Sequence, residues 1–258
     1  MKKKKIKIIV RSDDFIRQLA YRFMKAKFTG GLVDEDELMR SRSETGRTIL
    51  HMLAETDSKG VLDAFTVDDL FQTEKTSSAQ VPKIQELVRI RDRVLGFTPV
   101  HAAARCFNIS FLRKLLKLDK DTVNIVDNRG FTPLMHVIGV DVKDRERFRE
   151  EDRIKIASLL ISEGADVNLR DPKGRTCLHL ASMQERVELI RVLLLVGGAK
   201  NMRDNRGKFA EACAPKFSES SRILREFKGW PKEEDRSIDD LLLFIEGEND
   251  ESKKTKKK

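Results

Sequence analysis

The chain has 258 residues, of which 36% are charged and 40% hydrophobic, and its formal net charge is +9. Its mean hydropathy is −0.45, and no run approaches the roughly 18–20 consecutive apolar residues that a membrane helix needs. The basic excess sits at the two ends, in Lys2, Lys3, Lys4, Lys5 and Lys7 and in Lys253, Lys254, Lys256, Lys257 and Lys258, so residues 8–252 hold 41 basic against 42 acidic residues. That balance argues against a nucleic-acid surface spread over a folded domain.

The first lysines lead into Ile8-Ile9-Val10 and then Arg11, too short an apolar stretch for a secretory signal, and Asp13 and Asp14 argue against a mitochondrial presequence. An intracellular protein of the cytoplasm or nucleus is expected. Cys106, Cys177 and Cys213 form no CxxC pair, so neither a zinc site nor a disulfide framework is expected. They read as small thiols in a reducing compartment.

Residues 1–11 read as a basic tail. Residues 12–28 have the pattern of a helix with Phe15, Ile16, Leu19 and Phe23 on one side, ended by Gly30-Gly31. It belongs to an expected N-terminal helical cap over 12–42, covering the open end of a helical stack. From residue 43 the chain repeats itself. Gly46-Arg47-Thr48-Ile49-Leu50-His51, Gly96-Phe97-Thr98-Pro99-Val100-His101, Gly130-Phe131-Thr132-Pro133-Leu134-Met135-His136 and Gly174-Arg175-Thr176-Cys177-Leu178-His179 align, and a degenerate fifth unit begins at Gly207. The glycines are 50, 34, 44 and 33 residues apart, so two units of about 33 residues carry insertions, near 66–83 and near 139–152.

Each unit has a physical logic. The glycine allows the positive φ of a tight hairpin tip. The threonine stands where a helix needs its N-cap, and Pro99 and Pro133 occupy a first helical turn whose N–H would have no partner anyway. A short helix comes next, then a second with apolar stripes such as Phe111, Leu112, Leu115 and Leu116, or Leu189, Ile190, Leu193 and Leu194. A single pair cannot bury its stripe, whereas stacked neighbours can. In the first unit, Val61–Phe65 and Ile84–Ile90 are alternative second helices. The charged 139–152 insertion reads equally as a solvated surface and as an added binding feature. Beyond Trp230-Pro231, Ser237–Ile245 has the pattern of a short helix that either docks back in cis or serves as a ligand in trans. From 246 the composition is that of a disordered lysine-rich tail.

This pattern resembles the ankyrin repeat. Thr98-Pro99-Val100-His101, Thr132-Pro133-Leu134 and Glu163-Gly164-Ala165-Asp166-Val167-Asn168-Leu169-Arg170-Asp171 carry the likeness, echoed by Gly198-Ala199 and Asp204-Asn205-Arg206-Gly207. It covers about residues 43–228, as four repeats and a C-terminal half-repeat cap. Ile49 and Cys177 depart from the usual proline, Phe107 and Glu185 from the glycine between helices, and Met135 displaces the third histidine by one place. The resemblance implies an all-α ankyrin-repeat solenoid of stacked helix-turn-helix units with short β-hairpin fingers. It also implies that His51, His101 and His179 tie hairpin to helix by hydrogen bonds, which leaves no histidine for catalysis. Asp92, Asp127, Asp171 and Asp204 recur at the hairpins, where a carboxylate satisfies turn amides.

No nucleophile elbow, phosphate loop or HExxH motif occurs, and no enzyme, cofactor or metal site is expected. The resemblance implies a monomeric protein-interaction scaffold or adaptor that grips another protein through the concave face and hairpins. Arg91, Arg93, Arg129, Arg170, Lys173, Arg203 and Arg206 mark a basic stripe suited to an acidic partner surface. Alternatives are an I-kappa-B-like nuclear regulator of a transcription factor, or an electrostatic tether to nucleic acid or anionic membrane through the lysine tails alone. Lys2, Lys3, Lys4, Lys5, Lys253, Lys254 and Lys256 also fit a nuclear-import pattern, or simply solubilise the ends.

Overall fold

The computed structural model describes residues 8–29, 40–56, 84–139, 150–196, 198–199 and 201–227. Both lysine tails, the 66–83 insertion, residues 61–65 and the 237–245 segment lie outside the described residues. The chain divides into two compact units, Met1–Val137 and Ile138–Lys258, and each is considered by itself.

In the first unit, strand β1 (Ile9–Arg11) leads into helix α1 (Asp13–Thr29). The Ser12 hydroxyl accepts the Phe15 amide at 3.2 Å, and Asp13 and Asp14 stand in the first turn, where negative charge complements the helix dipole. Ile16, Leu19, Ala20 and Phe23 are buried. Phe15 lies half-buried at the edge of that stripe, with the Arg11 guanidinium 5.3 Å from its ring centre. The buried side of α1 packs on α2 (Ile49–Thr56). Residues 9–11, assigned from sequence to the tail, instead pair in parallel with β2 (Ser41–Ser43), Ile9 opposite Ser41 and Arg11 opposite Ser43. β-Branched Ile9 and Val10 suit an extended edge despite the lysines ahead of them.

Helix α3 (Ile84–Val88) buries Ile84, Leu87 and Val88, which places the Ile84 segment as a helix of the first unit. It packs on α5 (Ile109–Leu118), which pairs with α4 (Pro99–Arg105), and α4 lies on α2. Phe111, Leu112, Leu115 and Leu116 are each at most 1% exposed, and burial of a side chain of this size stabilises by roughly 1.5–3 kcal/mol. A 3₁₀ turn over Lys120–Asn124 comes after α5. Helix α6 (Pro133–Gly139) contains the boundary between the units.

In the second unit, α7 (Glu150–Ser162) packs on α9 (Val187–Leu195), which pairs with α8 (Cys177–Met183). Helix α8 supports α10 (Ala210–Cys213), itself packed with α11 (Glu219–Glu226). Most of the expected 139–152 insertion, residues 140–149, lies outside the described residues. Gly139 closes α6, and Glu150, Glu151 and Asp152 form the acidic first turn of α7. Phe107, Glu185 and Phe217, in the turns between paired helices, have φ of 59°, 54° and 63°. These are left-handed values that favour glycine.

Candidate protein-binding surface

Every hairpin is closed by the same backbone bond: Ser43 to Arg47 O, Asp92 to Phe97 O, Asp127 to Phe131 O, Asp171 to Arg175 O and Asp204 to Lys208 O, at 2.8–2.9 Å. The aspartates then consume the turn amides. Asp127 Oδ1 accepts from Arg129 and Phe131, Asp171 Oδ1 from Lys173 and Arg175, and Asp204 Oδ1 from Arg206 and Lys208, at 2.8–2.9 Å. Asp92 Oδ1 does the same for Val94, Leu95 and Gly96. In the first hairpin Ser43 stands in the aspartate's place, its hydroxyl accepting from Arg47 at 2.9 Å.

Asparagines lock hairpin to hairpin inside each unit. Arg91 Nε donates to Gly96 O (3.2 Å) and its guanidinium to Asn128 Oδ1 (3.1 Å), while the Asn128 amide donates to Leu95 O (2.9 Å). The second unit repeats this with Arg170, Gly174 O (3.2 Å) and Asn205 Oδ1 (3.3 Å), and Arg170 also reaches Arg203 O at 3.0 Å. Gly96 and Gly174 are required twice over. Their φ values are 72° and 74°, and a Cβ on either would run into the asparagine of the next hairpin.

The histidines reach one repeat further than the resemblance implies. His51 Nδ1 accepts from the Thr48 amide at 3.1 Å while Nε2–H donates to Phe97 O at 2.8 Å, in the next hairpin. His101 links Thr98 to Phe131 O, and His179 links Thr176 to Lys208 O, in the same way. Burial holds the His51 ring down to about 4 and the His101 ring to about 3, the latter helped by neighbouring His136. His136, one place later on its helix, turns to its own hairpin and donates from Nε2 to Asp127 Oδ2 at 2.9 Å. It packs edge-on against Phe97, 4.9 Å between ring centres. Burial lowers His136 despite Asp127. Burial alone would raise Asp127, but the Phe131 amide and the His136 ring hold it below the ordinary carboxylate value. These buried groups bind the fold together and are closed to a substrate.

All seven hairpin cations named from sequence are exposed, Arg91, Arg93 and Arg129 in the first unit and Arg170, Lys173, Arg203 and Arg206 in the second. Several have structural duties. Besides the Arg91 and Arg170 locks, Arg129 lies 3.4 Å from Asp127, and Arg203 donates to Gly207 O at 2.9 Å with its guanidinium 4.2 Å from the Phe209 ring centre. Arg93, Lys173 and Arg206 make no ion pair among the described residues. Arg89, in the turn after α3, is held by Asp119 and Asp121. Sequence reasoning missed the asparagine locks, although their signal was present: an asparagine comes directly after the hairpin aspartate at 128 and at 205, and the preceding hairpin has arginine before its own aspartate.

The cysteines are free thiols. Cys177 is fully buried, which pushes it up to about 12, and burial also raises Cys213. Among the described residues no group of three or more His, Cys, Asp or Glu side chains is placed to hold a metal ion, and no helix is long and apolar enough to cross a membrane.

A family model described as Ankyrin repeats (3 copies) matches residues 149–225. These are ankyrin repeats. The chain is 34% identical over 101 residues to mouse ankyrin repeat domain-containing protein 63, covering 37% of this chain and 24% of that protein. It is 31% identical over 134 residues to human neurogenic locus notch homolog protein 1, covering 43% and 5%. Human SH3 and multiple ankyrin repeat domains protein 2 is 25% identical over 233 residues, covering 73% of this chain and 12% of that protein. The chain thus spans at most about a quarter of the length of these relatives, and what they share is the all-α repeat, a module that mediates protein–protein interaction.

Proposed function

We propose that the protein is a non-enzymatic scaffold or adaptor that binds a partner with an acidic surface through its ankyrin hairpins. The observation that carries this is the division of labour among the hairpin cations. Asp92, Asp127, Asp171 and Asp204 take up the turn amides, and Arg91 and Arg170 fix neighbouring hairpins to one another. Arg93, Lys173 and Arg206 are then presented to solvent on turns that already hold their shape. Cations of this kind steer encounter and set register more than they supply raw affinity. Names containing ankyrin repeats among the relatives support the interaction role, and cytoplasm or nucleus is the compartment that fits it.

Affinity capture with the full chain at moderate and high salt, followed by protein identification, tests this reading. A specific protein retained at high salt by the native chain, and bound at least about tenfold more weakly by the R93E/K173E/R206E variant, is the expected result. Equal retention by both refutes the role of the hairpin cations.

A further inference from the structure

The two ends of the chain are not equivalent in charge. Residues 1–29 hold ten basic and two acidic residues, whereas the last 29, residues 230–258, hold seven basic and nine acidic residues despite their five terminal lysines. The positive end therefore runs past the lysine tail and into the folded first unit. Helix α1 commits Ile16, Leu19, Ala20 and Phe23 to the core. Its other side, Asp14, Arg17, Gln18, Tyr21, Arg22 and Lys25, recurs at helical spacing and is exposed. Arg17 meets Asp14 only at 3.5 Å, both side chains at least half exposed, so that pair leaves the cation in solvent.

Apolar side chains are exposed in the same segment of the chain. Tyr21 is 65% exposed, Ile8 52% and Val10 54%, three of the seven large hydrophobic side chains exposed in the described chain, all within its first 21 residues. Aliphatic side chains gain nothing from a phosphate backbone and do not stack on bases. At a bilayer interface the same side chains leave water, and a tyrosine ring with its hydroxyl suits the headgroup level.

We propose that the N-terminal segment is a docking surface for an anionic lipid membrane. The outer side of α1 and the exposed β1 edge lie against the headgroups, and the lysine run ahead of them adds long-range attraction. This goes beyond a tether made by the tails alone, and it is independent of the hairpin reading.

Flotation of the full chain with phosphatidylcholine vesicles, with and without phosphatidylserine, tests it. Binding is expected only with phosphatidylserine, falling as salt rises but leaving a residual fraction. R17E/R22E is expected to weaken partitioning more than about tenfold, and V10S/Y21S to remove the salt-resistant fraction. Changing Lys2–Lys5 to Gln should weaken binding without abolishing it. All these positions are exposed or outside the described fold, and unchanged far-UV circular dichroism confirms that the variants fold. Three outcomes overturn the proposal: no binding to phosphatidylserine vesicles, loss of all binding on changing the tail alone with R17E/R22E and V10S/Y21S silent, or tighter binding to duplex RNA that V10S/Y21S leaves intact.

Discussion

Acid should loosen the first unit through histidines that never reach solvent. His51 and His101 are neutral in the fold because burial penalises the charged ring, and the neutral ring accepts a threonine amide at Nδ1 while Nε2–H donates to a carbonyl. A second proton would sit on Nδ1 and face a donor. An unfolded chain imposes no such constraint, and its histidines titrate near 6.5. With folded values of about 4 and about 3, the unfolded state binds more protons below pH 6.5. The stabilisation is therefore complete above that pH and is lost as pH falls toward the folded values. At pH 5 each ring has lost about 2 kcal/mol, or about 4 kcal/mol for the two. His136 is also lowered and pulls in the same direction, as does Asp127 at still lower pH. That is a large part of the roughly 5–15 kcal/mol that holds a domain together. Hydrogen exchange of peptides from residues 84–139 at pH 7.5 and pH 5.0, corrected for intrinsic rates, reads the change locally. NMR of ring-labelled histidines supplies the microscopic check, with His51 and His101 expected to stay neutral through pH 5. Either ring titrating near 6.5 in the folded protein, or equal protection at the two pH values, refutes the reasoning.

Gly174→Ala should destabilise the second unit by about 2 kcal/mol, from the left-handed backbone penalty and the displaced Asn205 lock, seen as a lower urea midpoint. Phe217→Gly should do the opposite. The side chain is fully exposed at φ 63°, so relief of strain exceeds the added entropy of the unfolded chain by about 0.5 kcal/mol, and a fall in thermal midpoint would contradict this. Cys177, buried with its thiol pushed up to about 12, should resist iodoacetamide at pH 8 while Cys106 and Cys213 label. Mass spectrometry of the alkylated peptides decides the order.

The repeat was legible because its demands are local and stereochemical. Gly96, Thr98 and Pro99 each answer a backbone requirement within a few residues, and Phe111, Leu112, Leu115 and Leu116 declare a helix face at the same time. What escaped depends on partners far along the chain. Ile9 pairs with Ser41, and no short-range periodicity announces a parallel partner that distant. The displacement of His136 was visible as a one-residue offset. Its consequence was not, because a step of one residue rotates the ring about 100° round the helix and exchanges the next hairpin for the aspartate of its own. The hairpin cations were likewise readable as positions. Their separation into locking and solvent-facing groups depends on where the fold brings Asn128 and Asn205.

That separation explains how a basic hairpin can recognise a partner without deforming. A turn whose amides wait for a partner must be ordered on binding, and each immobilised side chain costs about 0.5–1.5 kcal/mol. Here Asp171 Oδ1 holds the Lys173 and Arg175 amides, Arg170 closes on Gly174 O, and Asn205 bridges to the next hairpin. The amides of Asp171, Lys173, Gly174 and Arg175 are all taken up, so discrimination at the turn falls to the side chains projecting from it. On the proposed reading these are Arg93, Lys173 and Arg206, which the locks leave unspent. An Arg170 substitution should then weaken binding by loosening the hairpin and cost stability as well. An Arg206 substitution should change binding alone, and this contrast separates support from contact at the same surface.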